Sequence, residues 1–507
     1  MDATLTLGRL LADIDPGPQY SGCGPDTPIA ALQVDSRRVE PGAAFLALVG
    51  LTHDAHQFLP QARERGAAVL IVQADRCPEG SGRAGPVVRL PDTWAAYPQL
   101  AANLHGRPAE ALTLAGVTGT NGKTTTAHLL GAVLRDAGLP HARLGTTGNW
   151  LVDHESTAGF TTPFPLELQA LLADVRDRGG THGVMEVSSH ALAQGRARPL
   201  RFAAVGLTSF SQDHLDFHAS MEDYLAAKCR LSAEHLREGG VVVAAVDPNP
   251  SAASRFLEAA PTDRRWRASR GAEPQAELLA EGFEQTATGL RARVRTPAGT
   301  AQLHSPLIGG FNLDNLMVVI GLGLGLGLPL SSIVASLRDA GGAPGRLQRI
   351  TVEGIAGPTV LVDYAHTPDA VARAIEAVRP TCSGRLVVLL GCGGDRDPSK
   401  RAQMGQVAAT GADQLWATSD NPRTEDPEAI VDMMLAGVPA TRRDRVVRRT
   451  DRARAIAEAI ASAAEDDLVL IAGKGHEDYQ VVGTNTIDFD DREHARAALR
   501  RRAPKAG

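Results

Sequence analysis

The chain has 507 residues, 43% of them hydrophobic, and a formal net charge of −6. That length predicts about three domains with substantial cores, and the mildly acidic balance excludes a nucleic-acid binder working through bulk positive charge. The five cysteines, Cys23, Cys77, Cys229, Cys382 and Cys392, share no short paired spacing; neither a disulfide framework nor a zinc cluster is expected, and a reducing cytoplasm fits.

The first stretch, MDATLTLGRLLADIDPG, lacks the basic segment and apolar run of a signal peptide. Residues 1–106 mix short strands (AAFLALVG, AAVLIVQ) with helical pieces and hold no phosphate loop. Over 107–342, apolar strands alternate with amphipathic helices. GGAPG at 341–345 is a hinge signal, and the alternation resumes over 343–507. Such alternation predicts parallel sheets with crossover helices, an α/β fold.

At 112–126 the chain reads LTLAGVTGTNGKTTT. An apolar strand, a glycine-bearing loop with Gly119, Thr120, Asn121 and Gly122, then Lys123-Thr124-Thr125 opening a helix, is the order of a nucleotide phosphate loop. The usual spacing would place glycine at 117, where Val117 stands instead. Lys123 can reach terminal phosphate oxygens, Thr124 can bind Mg²⁺, and the N–H groups of 119–124 can cradle the anion. Leu129, Leu130, Val133 and Leu134 give the helix one buried face.

Such a loop needs a metal carboxylate from a neighbouring strand end, and GVMEVSSHAL supplies Glu186; an edge strand with Glu186 in water is the competing reading. In SQDHLDFHASMEDYLAAK, His214 and His218 stand four apart, a spacing for one helical face that can hold a metal, although H-E-x-x-H is absent. Lys228 by itself reads as a solvated helix lysine. LMVVIGLGLGLGLPL (316–330) is too short and glycine-rich to span a bilayer and reads as a loosely packed buried helix, each glycine costing about 1 kcal/mol relative to Ala.

Beyond the hinge, four apolar strands each run into a polar cluster: Asp363-Tyr364-Ala365-His366, GCGGDRD (391–397), Ser419-Asp420-Asn421-Pro422-Arg423, and Gly473-Lys474-Gly475-His476-Glu477. In an open parallel sheet these ends share one rim, where ligands bind. No Asn-Lys-x-Asp guanine signature and no protein-kinase signature occurs.

TGTNGKTTT, MEVSSHAL, DHLDFH, AAK (226–228), GGFNLDN, GRLQ, VDYAHTPDA, GCGGDRD, SDNPRTEDP and AGKGHEDYQ occur in this order. Together they resemble the Mur ligases of peptidoglycan synthesis, and within them the branch that attaches 2,6-diaminopimelate. The resemblance covers nearly the whole chain and is weakest in the first hundred residues. It implies three domains: a smaller mixed α/β N-terminal domain for a UDP-sugar, a central ATPase domain around a parallel sheet, and a Rossmann-like C-terminal domain for the amino acid. It implies ATP and Mg²⁺ as cofactors and UDP-N-acetylmuramoyl-L-Ala-D-Glu and meso-diaminopimelate as substrates. It carries no nucleic-acid partner and no membrane insertion, and a monomer is expected.

Residue by residue, the resemblance assigns Lys123 and Thr124 to the ATP phosphates and Mg²⁺, Glu186 and His214 to Mg²⁺, and Lys228 to a carbamylated lysine serving a second Mg²⁺. Asn312, Asn315, Arg346 and Asp363 fall at ATP-contacting positions, the last two across the hinge, so that domain closure completes the site. Val34, Ser36, Leu51, Thr52 and His53 fall at uridine-diphosphate positions; Thr161, Thr162, Ser188, Gln194 and Arg196 face the muramoyl dipeptide. Arg396, Asp420, Asn421, Pro422, Arg423, Gly473 and Glu477 fall at positions that recognise diaminopimelate. Arg423 can fork onto the distal carboxylate and Glu477 can take the distal ammonium. Two departures stand out: Phe160 replaces an Asn before the Thr-Thr pair, and Ser209 replaces the Asn of T-N-L-S. The same reaction with L-lysine or L-ornithine is the first alternative; folylpolyglutamate synthase shares the loop and the lysine, but DNPR and HEDYQ speak against it; a sensor that binds without ligating is the third.

Overall fold

A computed structural model describes residues 5–50, 53–76, 85–286 and 288–502. Among the described residues three larger sheets follow one another along the chain, with a two-stranded ribbon, Tyr479–Val482 and Asn485–Asp488, near the end. The first has five strands in the order Gln19–Ser21, Val87–Leu90, Val69–Gln73, Ala44–Leu46, Leu32–Gln33, parallel except for its first pair.

The second sheet has eleven strands. Its middle is parallel and built from β1 (Thr113–Thr118), β2 (His141–Leu144), β3 (His182–Glu186), β4 (Phe202–Leu207) and β5 (Leu236–Ala245), in the spatial order β5-β4-β1-β3-β2. Buried Val, Leu and Ala on both faces give two separate cores, as crossover helices require. This parallel middle agrees with the expected parallel sheet and crossover helices, and the edges add to it. Both edges continue as antiparallel meanders, Leu278–Thr286 to Gly299–Ser305 on one side and Asn149–Leu151 to His154–Ser156 on the other. The short turns between those strands leave no length for a crossover helix.

Helix α1 (Lys123–Asp136) follows β1, α2 (Met221–Glu234) precedes β5, and α3 (Gly310–Gly325) and α4 (Leu330–Leu337) close the region. Helix α3 is the glycine-rich stretch, and it is tightly rather than loosely packed. A Cβ on Gly321 would sit 2.7 Å from both Leu278 and Val243, one on Gly323 2.8 Å from Ile333, and one on Gly325 2.8 Å from Ala204. The glycines let the helix backbone lie directly on the sheet and on α4, contact that offsets their poor helix propensity.

The third sheet carries β6 (Thr359–Asp363), β7 (Leu386–Cys392), β8 (Gln414–Ser419) and β9 (Leu468–Ala472), mutually parallel in the order β6-β9-β7-β8. The four polar clusters therefore do leave one rim. Among the described residues no helix is long and apolar enough to cross a membrane.

Candidate active site

Val117 lies inside β1, fully buried and paired in register with Glu186 of β3. A glycine there would only weaken the strand; the loop proper begins two residues later. Gly119 and Gly122 have φ of +151° and +90°, and a side chain at either would collide with Thr208 Oγ1 or Asn315 Oδ1. The shifted glycines are thus the ones this loop needs. Lys123 Nζ donates to the carbonyls of Gly119 (2.8 Å) and Thr120 (3.1 Å), arching over the loop. Thr120 Oγ1 donates to Ser211 O, and Thr125 is buried behind the turn. Ser209, one of the two departures, is integrated: Asn121 N donates to its Oγ at 2.9 Å and Thr120 N to its carbonyl.

Glu186 ends an internal strand and is 1% exposed, which removes the edge-strand reading. Thr124 Oγ1 donates to its Oε2 (3.1 Å), Thr146 N to Oε1 (2.9 Å) and Thr146 Oγ1 to Oε2 (3.2 Å). Gly145 is required beside it, since a Cβ would lie 2.9 Å from Glu186 Cδ. Thr146 and Gly145 went unnoticed in the sequence, where nothing distinguishes them from an ordinary turn.

His214 and His218 do not share a helical face, correcting that expectation. The segment is a run of turns with His214 at φ +52°. His218 is buried, its Nε2 3.0 Å from Ser189 Oγ and its Nδ1 3.3 Å from Asp223. His214 stands edge-on to His190 at 4.8 Å, with its ring half exposed. Among the described residues no three His, Cys, Asp or Glu side chains converge as a ready-made metal cage. That suits Mg²⁺, which keeps waters and substrate phosphates among its ligands, better than a structural zinc.

Lys228 is 1% exposed, not a solvated lysine. Its Nζ lies 4.3 Å from the Tyr224 ring centroid, and Tyr224 in turn shares a hydrogen bond with Thr120. Burial first, then the charge of Lys123, holds its ammonium well below the usual lysine range, with Asp213 opposing. His214 feels both lysines, so the four groups form one electrostatic neighbourhood.

From α3, Asn312 Nδ2 donates to Ile308 O and Asn315 Nδ2 to Asn312 Oδ1, which holds Asn315 against Gly122. Across the hinge, the carboxylate of Asp363 accepts from Leu347 N (2.7 Å) and Ala365 N (2.9 Å). Arg346 lies over the Tyr364 ring at 4.8 Å, and its Nε is buried without a partner, as is His476 Nδ1. The Arg346 charge depresses the Lys123 ammonium, as burial does more strongly. The two sides of the hinge already face each other here, and the orphaned donors suit an anionic ligand between them.

Beside Glu186, Thr162 Oγ1 donates to Glu186 O (2.8 Å) and accepts from Ser188 N (3.0 Å), and Thr161 shares a hydrogen bond with Thr146. Arg196 donates to Thr162 O and to Gln194 Oε1. Phe164 lies 3.8 Å and Phe160 5.6 Å from its guanidinium, so Phe160, the second departure, forms part of an aromatic cap on Arg196. Trp94 Nε1 donates to Gln194 O, joining the N-terminal region to this wall. Val34 packs against the N-terminal core, and Ser36 is buried with its hydroxyl spent on Gln61 at 2.6 Å. His53 is exposed; Leu51 and Thr52 lie outside the described residues.

On the C-terminal rim, Asn421 is the knot. Its Nδ2 donates to Glu477 Oε2 (2.9 Å), and its Oδ1 accepts from Lys474 Nζ (3.2 Å) and Val481 N (3.0 Å). Lys474, fully buried, also reaches Glu477 Oε2 at 3.1 Å; the sequence reading gave it no role. Asp420 accepts from Asn421 N and lies where a Cβ on Gly473 (φ +123°) would come within 2.6 Å. Arg423, at φ +50°, donates Nη1 to Gly394 O, and its backbone is held by Val481 and Gly483. Pro422 O accepts from Glu425 N, and Arg396 is exposed on the facing loop.

Comparison with known proteins gives matches along nearly the whole chain. Three family models match: the Mur ligase family catalytic domain over 28–104, the Mur ligase middle domain over 117–323, and the Mur ligase glutamate ligase domain over 345–475. The UDP-N-acetylmuramoyl-L-alanyl-D-glutamate–2,6-diaminopimelate ligase of Gloeobacter violaceus is 47% identical over 480 residues, covering 94% of this chain and 95% of the relative. The protein of the same name from Parasynechococcus marenigrum is 46% identical over 503 residues, covering 98% and 99%. A solved structure of such a ligase superimposes with a TM-score of 0.73 at 30% identity, covering 99% of this chain and all of the other.

Proposed function

Because this chain belongs to the Mur ligase family, we propose that it joins meso-diaminopimelate to the D-Glu γ-carboxylate of UDP-N-acetylmuramoyl-L-Ala-D-Glu at the expense of ATP. It acts as a cytoplasmic monomer. The functional units are the UDP-sugar domain (1–106), the ATP-binding ligase domain (107–342) and the amino-acid domain (343–507). The observation that carries the reading is the pairing of a phosphate-loop threonine with a buried strand-end carboxylate, Thr124 with Glu186, beside the buried Lys228, whose ammonium burial holds well below the usual lysine range.

In this reading the γ-carboxylate attacks the terminal phosphorus of ATP, ADP leaves, and an acyl phosphate forms. The amine of diaminopimelate attacks the acyl carbon, phosphate departs, and the amide remains with loss of one proton. Lys123 and the loop N–H groups of 119–124 hold the transferring phosphoryl charge, and Arg346 meets it from across the hinge. Thr124, Glu186, His214 and Lys228 would hold Mg²⁺, which when bound neutralises charge on the phosphates. Lys228 suits carbamylation: its neutral amine forms an N–C bond to CO₂, releasing a proton and turning a buried cation into a carboxylate-like ligand. Asn312 and Asn315 brace the nucleotide, and Asp363 fixes the segment that bears Arg346.

Thr161, Thr162, Ser188, Gln194 and Arg196 would orient the dipeptide, and Val34, Ser36, Leu51, Thr52 and His53 the uridine diphosphate. For the amine donor, Arg423 keeps Nε and Nη2 beyond the bond of its Nη1 to Gly394 O, two donors for the distal carboxylate. Asp420 and Glu477, the latter pre-set by Lys474 and Asn421, take the ammonium; Arg396, Pro422 and Gly473 complete the rim. Lysine and ornithine lack the distal carboxylate and leave Arg423 unpaired, a strong basis for discrimination. Phosphate release that requires both the UDP-dipeptide and diaminopimelate tests the reading. Release with folate substrates, or nucleotide binding without turnover, would favour the alternatives.

A further inference from the structure

A cavity of about 440 Å³ lies outside the residues assigned above, within the size range of small-molecule sites. One face of α1 (His128, Leu129, Ala132, Arg135) forms its floor, His141, Arg143 and Trp150 one wall, and the hinge segment Asp339–Pro344 the other. Gly131 lies on that floor. A Cβ there would meet nothing closer than 3.6 Å, so no packing contact demands glycine, unlike the glycines of α3. In mid-helix it costs about 1 kcal/mol relative to Ala, and what it leaves is room.

The charges facing the space are ordered. Arg135 is paired with its neighbour Asp136. Arg143 is 11% exposed, and the nearest carboxylate, that of Glu155, is 4.0 Å away at the mouth and 74% exposed. Arg143 Nη1 is in contact with both ring nitrogens of His128, whose imidazole is pushed down to about 3 by burial and by Arg143 itself, so the ring is neutral and Nε and Nη2 of Arg143 remain for a ligand. His141 is likewise lowered by burial. Asp339 donates its N–H to Ser336 O, but its carboxylate forms no hydrogen bond or ion pair among the described residues, and it lies on the hinge side. A guanidinium lies deep, two carboxylates lie outside it, and Trp150, Leu129 and Ala132 supply apolar surface between.

We propose that this cavity binds an α-amino acid zwitterion with an apolar side chain. Its carboxylate forks onto Arg143, its ammonium is held between Glu155 and Asp339, and its side chain lies on Trp150. An occupant there ties the hinge to the helix that follows the phosphate loop and slows turnover.

L-Phenylalanine is the probe, titrated by calorimetry into the full chain with the nucleotide site filled by a non-hydrolysable ATP analogue. This arm does not depend on the proposed reaction. Saturable binding is expected, weakened about tenfold or more in both Gly131→Leu and Arg143→Met, and weaker for 3-phenylpropionate and phenethylamine, which each lack one charge. In the phosphate-release assay the probe should lower kcat and leave the KM for ATP unchanged, and Gly131→Leu should abolish the effect while keeping its basal rate. If Gly131→Leu fails to fold, Arg143→Met carries the test alone. Absence of saturable binding, equal binding by both variants, equal binding of 3-phenylpropionate, or an unchanged kcat would each overturn the proposal.

Discussion

Thr124 Oγ1 donates to Glu186 Oε2 across 3.1 Å, tying the first turn of α1 to the end of β3. The bond pre-sets both oxygens that the proposed function gives to Mg²⁺. Glu186→Gln keeps the shape and removes the charge. We expect kcat to fall by about 10²-fold or more, with folding retained because Thr146 still donates to the amide oxygen. Steady-state phosphate release across a Mg²⁺ titration checks this; wild-type kcat in the variant would remove Glu186 from the metal role.

Lys228 should act as a carbamate. Lys228→Arg retains a cation that cannot take up CO₂ and should lose activity by about 10²-fold or more. The wild type should lose rate in CO₂-depleted buffer and regain it on adding bicarbonate. Full activity without CO₂ would contradict this.

Arg452 and Asp491 form a bidentate pair with neither side chain exposed, and Arg452 also donates to the carbonyls of Ser419 and Ala472 at the ends of β8 and β9. Arg452→Met leaves a buried carboxylate unpaired and should cost about 3–5 kcal/mol. Because those strand ends carry Asp420 and Gly473, the KM for diaminopimelate should rise as well. Urea unfolding and amine-donor kinetics read the two effects separately.

His128 is depressed to about 3 and His235 to about 4, both chiefly by burial. Unfolded histidine titrates near 6.5, so below that value the unfolded chain takes up protons that the folded chain refuses. Stability is fully present above about pH 6.5 and is lost as pH falls toward 4. Urea midpoints at about pH 7 and about pH 5 should differ, and His235→Gln should narrow the gap. Equal midpoints in the wild type would contradict the burial argument.

Gly321→Ala should destabilise by about 1–3 kcal/mol through overpacking despite the better helix propensity of alanine, because the new methyl meets Leu278 and Val243 at 2.7 Å. A stabilised variant, read by thermal unfolding, would restore the loose-packing view.

The α/β alternation, the phosphate loop, Glu186 and the polar rim were legible because each rests on local pattern: period, strand-to-helix order, a charge inside an apolar run. The antiparallel edges were missed because a short apolar strand does not state its direction. His214 and His218 misled because a four-residue spacing implies a helical face only if the backbone is helical, and His214 lies at φ +52°. Lys228 looked solvated because the packing of its helix against the rest of the region, which leaves it 1% exposed, is a tertiary fact. Thr146 carried no signal, and Lys474 and Tyr364 stood in the polar clusters without a role, since the roles of all three arise from partners 40, 53 and 18 residues away (Glu186, Asn421 and Arg346).

The most direct measurement is phosphate release from ATP in the presence of UDP-N-acetylmuramoyl-L-Ala-D-Glu with meso-diaminopimelate, L-lysine or L-ornithine supplied separately. The account predicts release with diaminopimelate and almost none with the other two, and a loss of that preference in Arg423→Ala. Equal release with lysine would contradict the role given to Arg423, and no release with any of the three would contradict the ligase reading itself.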